Sequence, residues 1–164
     1  MTSIYDNPLK FKRIEVRPMN STIGAEIHGV DLTRPLDEQT WQEVGQAFAD
    51  YLVVYFPNQP LTHDQHLAFS ERFGPLMAMP QLLAGEGFEP VHIIKRDADD
   101  SSRVIGESWH SDSTYFESPP AAVIMRSVTV PEFGGDTGFL SMYAAYETLS
   151  PKLGSLLDGL QVVQ

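Results

Sequence analysis

Cysteine is absent from all 164 residues. That absence removes disulfide scaffolds, thiolate zinc sites, iron–sulfur clusters and cysteine nucleophiles together. Basic residues are scarce: 11 Lys and Arg stand against 22 Asp and Glu, a formal charge of −11. So acidic a chain offers little to a phosphate backbone or an anionic bilayer, and neither nucleic-acid nor membrane partners are expected. No apolar run approaches the roughly 18–20 residues of a membrane-spanning helix. The first 17 residues carry Lys10, Lys12 and Arg13 but no apolar secretory stretch, so a cytoplasmic protein is expected. Internal repeats and low-complexity tracts are also lacking. What is present suits one packed domain spanning residues 1–164, with 42% apolar and 20% charged residues.

Hydrophobic spacing divides the chain unevenly. Ile14 and Val16 alternate with charges over 10–17, and Ile23, Ala25 and Ile27 alternate again before Gly29, which predicts two short strands. Trp41, Val44, Phe48 and Tyr51 recur at helical spacing over 37–50. Leu52 to Phe56 reads as a buried strand stopped by Pro57. Thr62 and Gln65 form a capping-box pattern for a helix that buries Leu67, Phe69 and Phe73 and ends at Gly74-Pro75. His63 and His66 near its start are expected to face solvent. Beyond residue 75 the texture changes: a loop over 75–90, a strand at 91–95, an acidic loop over 97–108, and an apolar strand over 121–130. Gly134-Gly135-Asp136 marks a turn, with a return strand over 137–140. Ser141 and Ser150-Pro151 read as helix starts, the last helix burying Leu153, Leu156, Leu157 and Leu160. This uneven mixture predicts an α+β domain rather than a regular βαβ repeat.

The chemistry-bearing stretch is Trp109-His110-Ser111-Asp112. On extended backbone, residues two apart share a face, so the His110 imidazole and the Asp112 carboxylate can converge. Those groups are two legs of the 2-His-1-carboxylate triad that holds non-haem iron(II). By itself the triplet is a weak signal and fits better a surface strand in which Asp112 bonds a turn and His110 is an ordinary half-buried ring.

The run WHSDSTYFESPP (109–120), the apolar segment after it and Gly134-Gly135-Asp136-Thr137 resemble the taurine dioxygenase family of iron(II)/2-oxoglutarate-dependent dioxygenases. GAEIHGVDLTRPL (24–36), LTHDQHLAFSERFGPL (61–76) and AAYETLSP (144–151) are similar to the same family, so the resemblance covers about residues 20–160. It implies a double-stranded β-helix, or jelly roll, with flanking helices. It implies His110 and Asp112 as iron ligands and Thr137 as a hydroxyl partner of a 2-oxoglutarate carboxylate. It further implies O2 as co-substrate, a small organic molecule as the hydroxylated substrate, and succinate and CO2 as co-products. Met79 takes the place of the family's sulfonate-binding histidine, and a thioether cannot donate to a sulfonate, which speaks against taurine. Gly106 replaces an asparagine four residues before the metal histidine. Tyr115 either lines the pocket or packs behind the sheet, and Met77, Met79, Leu82 and Leu83 either edge the pocket or fill the core.

Two parts of the family pattern are missing. No histidine follows His110, and the only arginine beyond Asp112 is Arg126, upstream of Thr137. The third iron ligand and the arginine that grips 2-oxoglutarate are therefore absent. The eight strands of a jelly roll cannot be drawn either. The expectation is the N-terminal portion of a family member, cut mid-barrel. Alone it should be inactive, and its open strand edges should drive homo-oligomers or poor solubility. The rival readings are a non-catalytic fragment or subunit, and a cupin-like metal isomerase or hydrolase using His110 and Asp112.

Overall fold

The computed structural model describes residues 10–77, 91–97 and 106–162. They fall into two compact units. One holds the described residues up to Phe69 together with Arg126–Gln161; the other holds Ser70–Met125 with Val162.

The first unit is organised around a three-stranded sheet in the order β1-β2-β3. β1 (Glu15–Pro18) pairs antiparallel with β2 (Ala25–His28), from Glu15↔His28 to Pro18↔Ala25. β3 (Val54–Tyr55) pairs parallel with β2, Ala25 opposite Val54. The parallel pairing needs a crossover, and α1 (Glu38–Tyr51) supplies it. Alternation along β2 sends Ala25 and Ile27 into the core with no exposed surface. Glu26 and His28 share the opposite face, their side chains 2.8 Å apart. α1 answers with Val44, Ala47 and Tyr51, which join Ile14, Ala25 and Ile27 in one cluster.

Local chemistry sets the ends of α1. The Asp37 carboxylate accepts from the Thr40 backbone N–H at 3.1 Å and from its hydroxyl at 2.7 Å, an N-cap. At the other end Leu52 turns the chain with φ 65°, its N–H donating to the Phe48 carbonyl at 2.8 Å. Leu52 therefore ends the helix instead of opening the expected strand, which shortens to two residues. Glu43 ties α1 to the segment leading into β1: its carboxylate accepts from the backbone N–H groups of Lys12, Arg13 and Ile14 at 2.8, 2.7 and 3.3 Å. Burial opposes its ionisation, but those donors outweigh it and hold the carboxyl below its usual range.

α2 (His63–Glu71) starts with the expected capping box. Thr62 N–H donates to Gln65 Oε1 at 2.8 Å, and Gln65 N–H returns to Thr62 Oγ1 at 3.2 Å. Phe69 meets Trp41 and Phe56 edge-on, with ring centroids 6.0 and 5.6 Å apart. The helix stops at Glu71, short of Gly74. His66 is 8% exposed, contrary to the solvent-facing expectation, because it lies on the helix face turned inward.

The later β predictions are not realised among the described residues. Residues 121–130 and 137–140 form no ladder, and the sole bridge residue in 91–97 is His92. A strand exists through cross-strand hydrogen bonds, and here no described segment offers them. A small sheet with helices is what the described residues form, so the α+β reading holds for them while a jelly roll is not assembled from them. α3 (Met142–Glu147) and α4 (Pro151–Leu157) begin where Ser141 and Ser150-Pro151 predict, each serine accepting from the backbone N–H three residues on. Neither buries a residue. Leu156 and Leu160 are 67% and 65% exposed, and α4 ends at Leu157, so the expected apolar face is not formed. Among the described residues no helix is long and apolar enough to cross a membrane.

Two outcomes follow for the first unit. Ile27→Ala should cost about 2–5 kcal/mol in urea denaturation, since it empties a fully buried position. The Asp31 carboxylate, bonded first by the Thr33 hydroxyl and then by Arg34 and the Thr33 N–H, has its pKa lowered from 3.8 to about 2. A depressed folded pKa contributes stability above the unfolded value that is lost as pH falls through the folded one. Asp31→Asn should therefore flatten the acid-unfolding curve between pH 3.8 and about 2, measured by circular dichroism. An unchanged curve would contradict this assignment.

Candidate metal centre

The second unit carries the His-x-Asp segment. Residues 107–111 have no regular structure, and 112–115 form a turn. The expected strand is thus replaced by a loop running into a turn, pinned by a 3.2 Å bond from the Phe116 N–H to the Ser113 carbonyl. Ser113 has φ 57°, which reverses the chain just after Asp112. The side chains still converge: His110 Nε2 lies 3.1 Å from Asp112 Oδ1, each side chain 53% exposed.

The other face of the imidazole decides what that closeness means. His110 Nδ1 lies 2.7 Å from the Ser108 carbonyl oxygen. A carbonyl only accepts, so Nδ1 bears the ring proton. In the neutral ring, Nε2 then presents a lone pair to a carboxylate oxygen. Two acceptors at that distance repel unless a cation lies between them. The cation is either a second proton, giving an imidazolium–carboxylate pair, or a metal ion. A backbone carbonyl on the distal nitrogen is the usual way a metal-binding imidazole is oriented.

The pair suits a metal geometrically. Ligands about 2.1 Å from an octahedral ion and at right angles to one another lie about 3.0 Å apart, against the 3.1 Å found here. Imidazole nitrogen with carboxylate oxygen is a donor set for iron or manganese. Among the described residues no third His, Asp or Glu joins them.

The other expected residues are distributed as follows. Gly106, with φ 80°, lies against the imidazole: a Cβ built there would sit 3.3 Å from His110 Cε1. Tyr115 is half exposed and stacks at 36° on Phe116, ring centroids 4.5 Å apart, so it is not packed behind a sheet. Thr137 is exposed in the other compact unit, just after Gly134 and Gly135, both with positive φ. Met79 lies outside the described residues. Spacing passed over two serines. Ser108 acts through its backbone, which leaves no side-chain signal. Ser113 is 5% exposed, and its Oγ has no hydrogen-bond partner; a serine in the left-handed region carries no cue comparable to glycine.

The sequence pattern of the taurine catabolism dioxygenase TauD, TfdA family matches residues 15–164. The chain belongs to that family. It is 33% identical over 149 residues to an (S)-phenoxypropionate/alpha-ketoglutarate-dioxygenase of Sphingobium herbicidovorans, covering 90% of this chain and 52% of the relative. It is 34% identical over 151 residues to an alpha-ketoglutarate-dependent sulfate ester dioxygenase of Pseudomonas putida, covering 92% and 49%. A solved taurine dioxygenase from Burkholderia xenovorans superposes with a TM-score of 0.78 at 40% identity, over 90% of this chain and 52% of that one. This TauD, TfdA family member thus spans about half the length of the curated relatives it matches.

The proton assignment is directly measurable. In a 15N ring spectrum of the metal-free chain, recorded above the imidazole titration range, His110 should show its proton on Nδ1. A proton on Nε2 would contradict the geometry described.

Proposed function

We propose that this chain is the N-terminal portion of an iron(II)- and 2-oxoglutarate-dependent dioxygenase, in which His110 and Asp112 are two metal ligands. The observation that carries the reading is His110 Nε2 turned to the Asp112 carboxylate at 3.1 Å while Nδ1 is committed to the Ser108 carbonyl. Iron, when bound, supplies the redox chemistry that couples decarboxylation of 2-oxoglutarate, with O2, to hydroxylation of the substrate. The chain's own part is to hold and orient. Ser108 keeps the imidazole lone pair aimed, and Asp112 supplies negative charge beside it. The Thr137 hydroxyl donates to a carboxylate of 2-oxoglutarate. Gly106 and Tyr115 border a small organic substrate. Taurine is disfavoured, because Met79 cannot donate to a sulfonate.

Two ligands hold a metal loosely, and among these 164 residues no histidine follows His110 and no arginine follows Arg126. Mn(II), a redox-silent substitute, should broaden the His110 and Asp112 resonances selectively. His110→Ala or Asp112→Ala should abolish that effect. In a chain extended through its downstream coding sequence, the same substitutions should lower substrate-driven succinate release by at least about 100-fold. Succinate release unchanged by either substitution would overturn the reading.

A second reading, that the chain is one part of a composite barrel, draws on a separate observation. In the first unit Val128, Val130, Phe133 and Leu156 are all largely exposed. Apolar surface of that extent is rarely left to water. We propose that a further polypeptide segment covers it and completes a jelly-roll domain. On size exclusion the isolated chain should self-associate, and a C-terminal half supplied in trans should convert it to a one-to-one complex. A chain that runs as a monomer and ignores the added half would contradict this.

A further inference from the structure

Arg126 is the residue at which the chain re-enters the first unit. It is partly buried, whereas every residue from Ser127 to Leu140 is exposed. Its guanidinium Nη1 donates to the backbone carbonyl of Leu61. Among the described residues this is the one hydrogen bond between 126–161 and the residues up to Phe69. The others made within 126–161 are local, such as the Ser141 and Ser150 caps and the bond from Tyr146 to Asp158. α3 and α4 bury no residue, so their packing does not replace it. The acceptor itself is firmly held. Leu61 N–H donates to the Gln59 carbonyl at 2.8 Å. The Gln59 side chain accepts from the Leu32 N–H at 2.9 Å and donates to the Val30 carbonyl at 3.2 Å. Beside Leu61, Thr62 is locked to Gln65 by the capping box, and Gln65 Nε2 donates to the Thr33 carbonyl at 2.8 Å. Two glutamines thus tie the loop at 30–33 to the start of α2, and the Leu61 carbonyl is the acceptor this frame offers Arg126. A guanidinium donor makes the bond charge-assisted, hence stronger than one between neutral groups.

Thr137 lies farther along the same segment, beyond the turn at Gly134 and Gly135, and no strand ladder holds the stretch between. We infer that Arg126 is a positioning residue for Thr137: its bond to Leu61 roots the segment that carries the threonine on the frame at the start of α2. The 2-oxoglutarate consequence rests on the proposed dioxygenase reading; the anchoring does not.

Because the chain has no cysteine, a pair of nitroxide labels can be placed without ambiguity. Asp64→Cys on α2 and Thr129→Cys on the segment are both at exposed positions and report the distance between the two by electron spin resonance. Labelled chain is diluted into unlabelled chain, so only distances within one molecule are read. The parent should give one narrow distribution. Arg126→Met keeps the stem, loses the donors and should broaden the distribution severalfold. Arg126→Lys keeps a cationic donor and should recover part of the narrow population, since one N–H makes the bond. Lys152→Met, an exposed position on α4, controls for lost charge and should leave the distribution as in the parent. An unchanged distribution in Arg126→Met, a broad one in the parent, no recovery in Arg126→Lys or an equal change in Lys152→Met would overturn the inference. In the chain extended through its downstream coding sequence, Arg126→Met should raise KM for 2-oxoglutarate about tenfold and leave KM for the organic substrate unchanged. Equal rises in both would signal a general loss of fold and overturn the positioning role. An extended parent chain that releases no succinate fails the dioxygenase reading, and the label distances still decide the anchoring.

Discussion

A carbonyl oxygen has no proton to give, and this fixes which nitrogen of His110 is left to meet Asp112. With Nδ1 held by Ser108, the imidazole can approach the carboxylate only as a lone pair or as a cation. The rest of the candidate centre depends on that choice. The loop from Gly106 supplies the carbonyl, and Asp112, two residues after His110, supplies the carboxylate. The 3.1 Å separation becomes a place for a positive charge rather than a chance contact.

The three-stranded sheet and α1 show how few residues the chain needs to build a firm core. β2 is flanked on both sides, and Ala25 and Ile27 leave no surface exposed. One carboxylate, Glu43, gathers three backbone N–H groups that would otherwise need water. The described residues of the second half contrast sharply. α3 and α4 are capped by serines yet bury nothing, so they have the local signals of helices without the packing that usually sustains them. Family membership over half the length of the relatives fits that contrast.

What could be read from sequence was whatever contiguous residues decide by themselves. Trp41, Val44 and Phe48 announce α1 through spacing. Thr62 with Gln65 announces the start of α2, and Ser150-Pro151 that of α4, because each cap is made within three or four residues. Burial was less legible, since it is set by segments far away in the chain. His66 turns inward and Leu156 outward, against the expectation for each. Strands over 121–130 failed for the same reason: their apolar composition is local, but their hydrogen-bond partners are not. At the centre, the convergence of His110 with Asp112 was foreseen while its route was not. A strand was expected, and the pair lies instead in a loop that runs into a turn at Asp112.

Crystals grown with Mn(II) and examined by anomalous diffraction at the manganese edge would test the central claim most directly. The account predicts a peak bound by both His110 Nε2 and Asp112 Oδ1, with Nδ1 still on the Ser108 carbonyl. An empty site with an imidazolium–carboxylate pair at saturating Mn(II), or a peak elsewhere in the second unit, would contradict it.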